Sequence, residues 1–181
     1  GVEYSRLLDD GRPRLDRLRR RPLLDWLQRC LLAHLLPHPG RFRMAMRLAT
    51  WTRPLGRRLP GRLGQLAAKV PDRLPPPARR SQHGRHPAAG PTRLRVALLT
   101  GCAQSVLGPS INDAAVRLLN RRGADVVIPT EAGCCGALTY HMGERRSSRR
   151  LMARNVDVWH RLLSDGAIDA VVLTTSGCAT A

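Results

Sequence analysis

Three short apolar runs, each followed by a cysteine-bearing glycine turn, constrain this chain more than any other feature. Val96 to Leu99 precedes Thr100-Gly101-Cys102, Val126 to Ile128 precedes Gly133-Cys134-Cys135-Gly136, and Ala170 to Leu173 precedes Ser176-Gly177-Cys178. The runs are too short for buried helices and are rich in β-branched residues or leucine, which reads as buried strands. Four of the five cysteines therefore lie just past strand ends.

The intervening segments have helical period. Ile111, Ala114, Ala115, Leu118 and Leu119 give Pro109 to Arg122 one apolar side, with Pro109 suited to the first turn and Gly123 to the stop. Met152, Val156, Trp159 and Leu163 step by four, three and four along a second helix expected over 144–164. The order strand, helix, strand, helix, strand implies an α/β fold: a three-stranded parallel βαβαβ unit with right-handed crossovers. All strands then point their carboxyl ends to one edge, where such sheets place their ligands.

Thiolates gathered at one edge can hold a metal or cluster, form a redox disulfide, or supply a nucleophile. The adjacent pair Cys134-Cys135 between glycines favours the metal reading. Glycine lets the backbone approach a bulky inorganic centre, and thiolates select iron–sulfur or zinc. Buried cysteines can also serve as small hydrophobes, but core packing gives no reason to cluster them after strand ends. No Ser-His-Asp set or paired carboxylates at a plausible spacing accompany them, so hydrolase chemistry has no support.

Cys102, 31 intervening residues, Cys134-Cys135-Gly136 and then Cys178 in a Ser-Gly-Cys turn resemble the cysteine-rich CCG domain of heterodisulfide-reductase-like proteins. Leu98-Leu99-Thr100-Gly101-Cys102-Ala103-Gln104, Gly133 to Leu138 and Thr175 to Cys178 resemble, more narrowly, the iron–sulfur subunits of glycolate oxidases. The resemblance implies an electron relay. In such subunits a ferredoxin-like region with two [4Fe-4S] clusters precedes a helical connector and two cysteine-rich domains. Electrons from a 2-hydroxy acid such as glycolate pass from FAD on a partner subunit, through iron–sulfur centres, towards the quinone pool. It further implies Cys102, Cys134, Cys135 and Cys178 as thiolate ligands or redox thiols, holding an iron–sulfur cluster, noncubane in some relatives, or zinc. Alternatives are a relay serving lactate or glycerol-3-phosphate oxidation, and a non-catalytic binding module stabilised by zinc.

The chain departs from that pattern. It has no Cys-x-x-Cys-x-x-Cys run for cubane clusters, and Ala181 stands where the wider family often has a further cysteine. The expectation is a fragment of a longer subunit, inactive alone, with residues 1–70 as an arginine-rich helical connector, 71–93 as a proline-rich linker and 94–181 as a truncated cysteine-rich domain.

Charge is distributed unevenly. Up to Arg95 there are 21 Arg and one Lys against six acids, +16, whereas from Val96 onward nine Arg face seven acids, +2. In the connector Pro13 could start a helix, with Leu15, Leu18, Leu23, Trp26, Leu27, Leu31 and Leu35 on its apolar side, Pro22 restarting or kinking it, and Arg17 and Arg19 to Arg21 on polar faces. A second helix is expected from Arg41 to about Arg53 and a weaker third over 60–70. Their apolar faces could pack on the missing ferredoxin region. Trp26, Phe42 and Trp51 opposite arginines also fit peripheral contact with an anionic membrane. Nucleic acid is not expected as a partner, because no recognised motif or stacking platform accompanies the charge.

In 71–93, Pro75-Pro76-Pro77 and Gly90-Pro91 predict irregular or polyproline-like backbone, and His83 and His86 mimic zinc spacing only superficially. Cys30 reads as a core thiol of its helix. Five cysteines without a signal peptide fit a reducing, cytoplasmic setting, or the cytoplasmic face of the inner membrane. Around the cysteines, Gln104, Ser105, Asn112, Gly136, Thr139, Tyr140, His141 and Asn155 are candidates to hold the loops or donate hydrogen bonds to sulfur. Among them His141 could ligate or move protons, though a histidine ending a surface helix is the plainer reading.

Overall fold

A computed structural model describes residues 7, 11, 14, 15, 18, 22–58 and 60–179. The expected helix start at Pro13, the arginines Arg17 and Arg19 to Arg21, and Ala181 fall outside the described residues. Helices α1 (Leu23–Leu35), α2 (Pro39–Gly56) and α3 (Arg62–Lys69) come first. A 3-10 turn at Arg79–Ser81 and the strands β1 (Gly84–His86) and β2 (Leu94–Leu99) follow. Next are α4 (Gln104–Leu107), α5 (Pro109–Arg121), β3 (Ala124–Ile128), α6 (Ala137–His141), α7 (Arg145–Ser164), β4 (Ala170–Leu173) and α8 (Ser176–Ala179).

The sheet order is β1-β3-β2-β4. β2 runs parallel to β3, with Val96 opposite Val126, and parallel to β4, with Leu98 opposite Val172. The expected parallel βαβαβ unit is present, but the sheet has four strands and is mixed. β1 lies inside the stretch read as linker and pairs antiparallel with β3, Arg85 opposite Val127. Gly-Arg-His carries no apolar alternation. What fixes it is the buried carboxylate of Asp125, which accepts hydrogen bonds from Arg85 Nε (3.2 Å), Arg85 Nη2, the Ala88 amide (2.8 Å) and Thr92 Oγ1 (3.2 Å). These bonds satisfy a charge that would otherwise be costly to bury, and they hold Asp125 below its ordinary carboxylate value, Arg85 contributing most.

Val96, Leu98, Val116, Ala124, Val126 and Ile128 form the core, flanked by Leu119, Ala170 and Val172. Each large member contributes about 1.5–3 kcal/mol on burial. The two crossover helices bury different faces from those their apolar spacing predicts. Ile111 and Leu118 on α5 are more than half exposed, whereas Asn112, Val116 and Asn120 are buried. Along α7, Val156 and Leu163 are largely exposed while Ser148, Asn155 and Val158 are buried. Both helices are rotated so that polar side chains reach the loops at the carboxyl edge, as described below.

In the arginine-rich segment the second helix begins at Pro39, before the expected Arg41, and continues through Pro54 to Gly56. Exposed Leu23, Leu27 and Leu31 on α1, and Met44, Leu48, Trp51 and Leu55 on α2, form apolar rows in solvent. No helix among the described residues is long and apolar enough to cross a membrane.

Candidate cysteine centre at the carboxyl edge

The three cysteine loops meet at the carboxyl ends of β2, β3 and β4. Cys134 is 4% exposed and its sulfur lies 3.4 Å from that of Cys102. Cys134 and Cys178 both lie near enough to Cys135 to draw its thiol down, which links the four thiols electrostatically. Cys30 stands apart on α1, half-buried, and is the fifth free thiol.

Proton sharing within the set alternates. The bond with Cys134 draws Cys102 below the ordinary thiol value against the opposing effect of burial. The same contact, then the Cys135 contact and burial, pushes Cys134 up. Cys135 is drawn down by Cys134, Cys178 and the Ala137 amide, whereas Cys178 is pushed up by its bond to Cys135. In the closest contact of the set Cys134 Sγ donates to Cys102 Sγ. At the first turn of α6 the Ala137 amide lies 3.5 Å from Cys135 Sγ and favours its thiolate, and the Gly136 amide lies 3.5 Å from Cys134 Sγ and partly opposes the upward push on that thiol.

Each loop is held by a buried polar side chain. Asn155 Oδ1 accepts from the Gly133 amide at 2.8 Å, and its Nδ2 donates to the Cys134 carbonyl at 3.0 Å. Ser148 Oγ and Thr139 Oγ1 both donate to the Gly136 carbonyl, at 3.0 and 2.8 Å. Gly136 has φ +84, and a Cβ there would stand 3.0 Å from the Ser148 carbonyl oxygen, so the turn requires glycine. Asn112 Nδ2 donates to the Thr100 carbonyl at 2.6 Å, while Gln104 Nε2 donates to Asn112 Oδ1 and Thr174 Oγ1, both at 2.7 Å. Thr175 Oγ1 donates to Gln104 Oε1. This bracket ties the loop of Cys102 to the one leading to Cys178. Ser105 Oγ donates to the Gly101 carbonyl at 2.7 Å.

Sequence reasoning named Gln104, Ser105, Asn112, Gly136, Thr139 and Asn155, and each sits in this frame. Tyr140 and His141 do not join it in the same way. His141 ends α6, exposed, with its ring edge-on to Tyr140 at 5.8 Å. His83 and His86 turn to backbone carbonyls, those of Pro129 and Gln82, each at 3.0 Å. Ser148, Thr174, Thr175 and Arg43 were missed. A pair of threonines directly after an apolar strand was the available signal for two of them; nothing local marks Arg43. Its guanidinium, on α2, donates to the carbonyls of Pro75 (2.8 Å) and Ser105 (3.0 Å). A cavity of about 280 Å³ opens beside it, lined by Arg43, His83, Thr100, Cys102 and Cys134 among others.

Chemically, the set offers four soft donors with amide support and no competing carboxylate. Among the described residues no group of three or more Cys, His, Asp or Glu side chains is placed, as it stands, to hold a metal ion. Thiols that hydrogen-bond one another hold their protons between sulfurs, and binding a metal requires those contacts to open and the protons to leave.

The three parallel strands of the sheet gather four thiols at their ends, two of them adjacent. Residues 96–181, just under half of the chain, match the CCG cysteine-rich domain model. Across 98% of its length the chain is 34% identical to the glycolate oxidase iron-sulfur subunit of Escherichia coli, and 32% identical to the probable glycolate oxidase iron-sulfur subunit of Bacillus subtilis. It spans 40% and 42% of those relatives. Lactate utilization protein A of an Exiguobacterium species is 30% identical over 36% of the chain and 27% of that protein. No solved structure matches the chain.

Proposed function

We propose that this chain is the connector and cysteine-rich portion of the electron-carrying subunit of a flavin-dependent glycolate oxidase, and that Cys102, Cys134, Cys135 and Cys178 hold an iron–sulfur centre. The observation that carries the proposal is the convergence of these four thiols, with Cys134 and Cys102 sulfurs 3.4 Å apart, at the sheet's carboxyl edge. Similarity to glycolate oxidase iron-sulfur subunits along nearly the whole chain supports the substrate class and the flavin-bearing partner subunit. A bound centre would supply one-electron storage between flavin and quinone. The chain's own residues supply thiolates, the amides of Gly136 and Ala137 that lower the energy of negative sulfur, and a frame of Asn112, Ser148 and Asn155 that keeps the loops in register. We assign residues 1–70 to the connector, 71–93 to a linker and 94–181 to the cysteine-rich domain, and place the subunit in the cytoplasm, in contact with the inner face of the membrane when it meets quinone.

Anaerobic iron and acid-labile sulfide analysis, with electron paramagnetic resonance, tests the assignment. Iron and sulfide present in the chain and absent from a Cys134→Ser, Cys135→Ser variant are expected. Zinc without sulfide, or no metal after reconstitution, would sink the iron–sulfur assignment. The contact between Cys102 and Cys134 favours a second reading, in which their two S–H bonds give way to one S–S bond, two protons leaving to solvent and two electrons passing to the flavin of the partner subunit. Thiol counting before and after oxidation distinguishes the two.

A further inference from the structure

The cavity of about 280 Å³ between α2, residues 77–83 and the sheet's carboxyl edge is not used by the frame that holds the cysteine loops. Its apolar walls are the buried Leu98, Leu99, Val106 and Ile128, each 5% exposed or less. Cys102 and Cys134 line it from the sheet edge, Arg43 from α2 and His83 from the residues before β1. No Asp or Glu lines it.

Packing does not account for this space. Protein interiors hold few voids larger than a water molecule, and apolar walls that face a void forfeit contacts. The chain nevertheless keeps Gly40, Ala78, Ser81 and Ala132 around it. Gly40 lies in the first turn of α2, and glycine is the poorest helix former after proline. Its φ is not positive, and a Cβ there would meet nothing within 4 Å. Neither conformation nor crowding calls for glycine at that place, so what it preserves is the room beside it.

The chemistry of the walls selects the ligand. His83 Nδ1 lies 3.0 Å from the Pro129 carbonyl oxygen, which can only accept, so in the neutral ring Nδ1 carries the proton and Nε2 offers a lone pair. Arg43 commits two N–H groups to the carbonyls of Pro75 and Ser105 and has others. The cavity thus combines apolar walls, a donor, an acceptor and two residues of the cysteine centre, with no carboxylate to repel an electron-rich oxygen. A volume just under the ~300–1,000 Å³ typical of small-molecule sites admits one ring system and excludes a dinucleotide.

We infer that this cavity seats the ring of a quinone beside Cys102 and Cys134, its carbonyl oxygen accepting from Arg43 and, once reduced, its hydroxyl donating to His83 Nε2. The inference rests on the relay reading above and names the place where the acceptor is met. The overall exchange balances. The 2-hydroxy acid loses two electrons and two protons to become the 2-oxo acid, and the quinone gains two of each as both ring carbonyls become hydroxyls.

The test uses the full chain and a fluorescent alkyl-hydroxyquinoline N-oxide, a quinone analogue that does not alkylate thiols. Saturable binding is expected, with displacement by decylubiquinone. Naphthalene, apolar but without carbonyl oxygens, and glyoxylate, which has a carbonyl and a charge but no ring, should not displace it. Gly40→Phe and Ala78→Trp fill the cavity from two elements, away from the thiols. Each is expected to weaken binding at least roughly tenfold with the urea midpoint close to wild type, and either variant alone decides the matter. His83→Ala should weaken binding about fivefold, and His86→Ala, a histidine outside the cavity, less than about twofold. No saturable binding by wild type, full binding by a filled variant, equal loss in the two histidine variants, or displacement by naphthalene or glyoxylate as readily as by decylubiquinone would overturn the inference. Iron and sulfide measured on the same samples keep the two proposals apart: analogue binding without iron removes the iron–sulfur reading alone, and iron without analogue binding removes the cavity assignment alone.

Discussion

Gly136 and Asn155 show how single residues hold the cysteine edge. A methyl group at position 136 meets the Ser148 carbonyl oxygen at 3.0 Å on a backbone with φ +84. Gly136→Ala is expected to lower stability by about 1–3 kcal/mol, visible as an earlier denaturant midpoint. Asn155→Ala leaves the half-buried Gly133 amide and the buried Cys134 carbonyl without their partner and should cost about the same, 1–3 kcal/mol. Metal uptake separates the two effects from mere destabilisation: both variants should load more slowly than an equally destabilised core variant such as Val116→Ala. Asp125 makes a pH prediction. Its folded value is depressed, so the stability it confers is complete above the unfolded value near 3.8 and is lost as pH falls through the folded one. The acid limb of a urea midpoint against pH profile should flatten in Asp125→Asn. Equal limbs in the two proteins would contradict this role.

At the scale of elements, the strands were legible because apolar runs of three or four residues, rich in β-branched residues or leucine, leave few other readings. Ala170 to Leu173 is the fourth strand without adjustment, and the helices over 109–121 and 145–164 begin and end within a residue of expectation. Their buried faces were not legible. Apolar periodicity weighs Ile111, Leu118 and Val156 as core, yet the rotation is set by Asn112, Ser148 and Asn155, whose hydrogen bonds to loop carbonyls are worth more than a partly buried methyl group. β1 was hidden for a related reason: three residues, Gly-Arg-His, are recruited by a carboxylate 40 positions away on β3. Arg43 links elements in the same long-range manner. Arg43→Ala releases the carbonyls of Pro75 and Ser105, bonds to a charged donor each worth about 1.5–3 kcal/mol. Limited proteolysis within 71–83 is expected to accelerate several-fold, with the sheet's hydrogen-exchange protection retained. If cleavage is unchanged, the α2 contact does not restrain that segment.

Across the whole molecule, the site was readable because cysteine is rare and its placement after three strands admits one geometry. The state of that site was not, because sequence gives sulfur positions but no protons. Cys134 Sγ donates to Cys102 Sγ, and the neighbouring thiols push Cys134 and Cys178 up while drawing Cys102 and Cys135 down. Loading with metal must displace the protons that remain, so titration of the reduced chain with ferrous iron in weakly buffered solution should acidify it. Because Cys134 and Cys178 hold their protons more firmly than ordinary thiols, affinity should rise with pH through the neutral range and above. A pH-independent affinity would mean that the thiols are not the ligands. Charge belongs to this scale too: a net +18 makes the chain prone to non-specific adsorption to polyanions, so association measurements are meaningful only as comparisons between variants of equal charge.

The two margins of the sheet are built to different rules. β1, on one flank, is three residues long and bears an arginine, features that discourage another strand from annealing to it. β4, on the other, is Ala-Val-Val-Leu, uncharged, and among the described residues pairs only with β2. Its outer row of amides and carbonyls is a template, so the sheet is polarised, sealed on one flank and extensible on the other. A further strand, whether from a longer polypeptide or from a neighbouring molecule at high concentration, adds at β4.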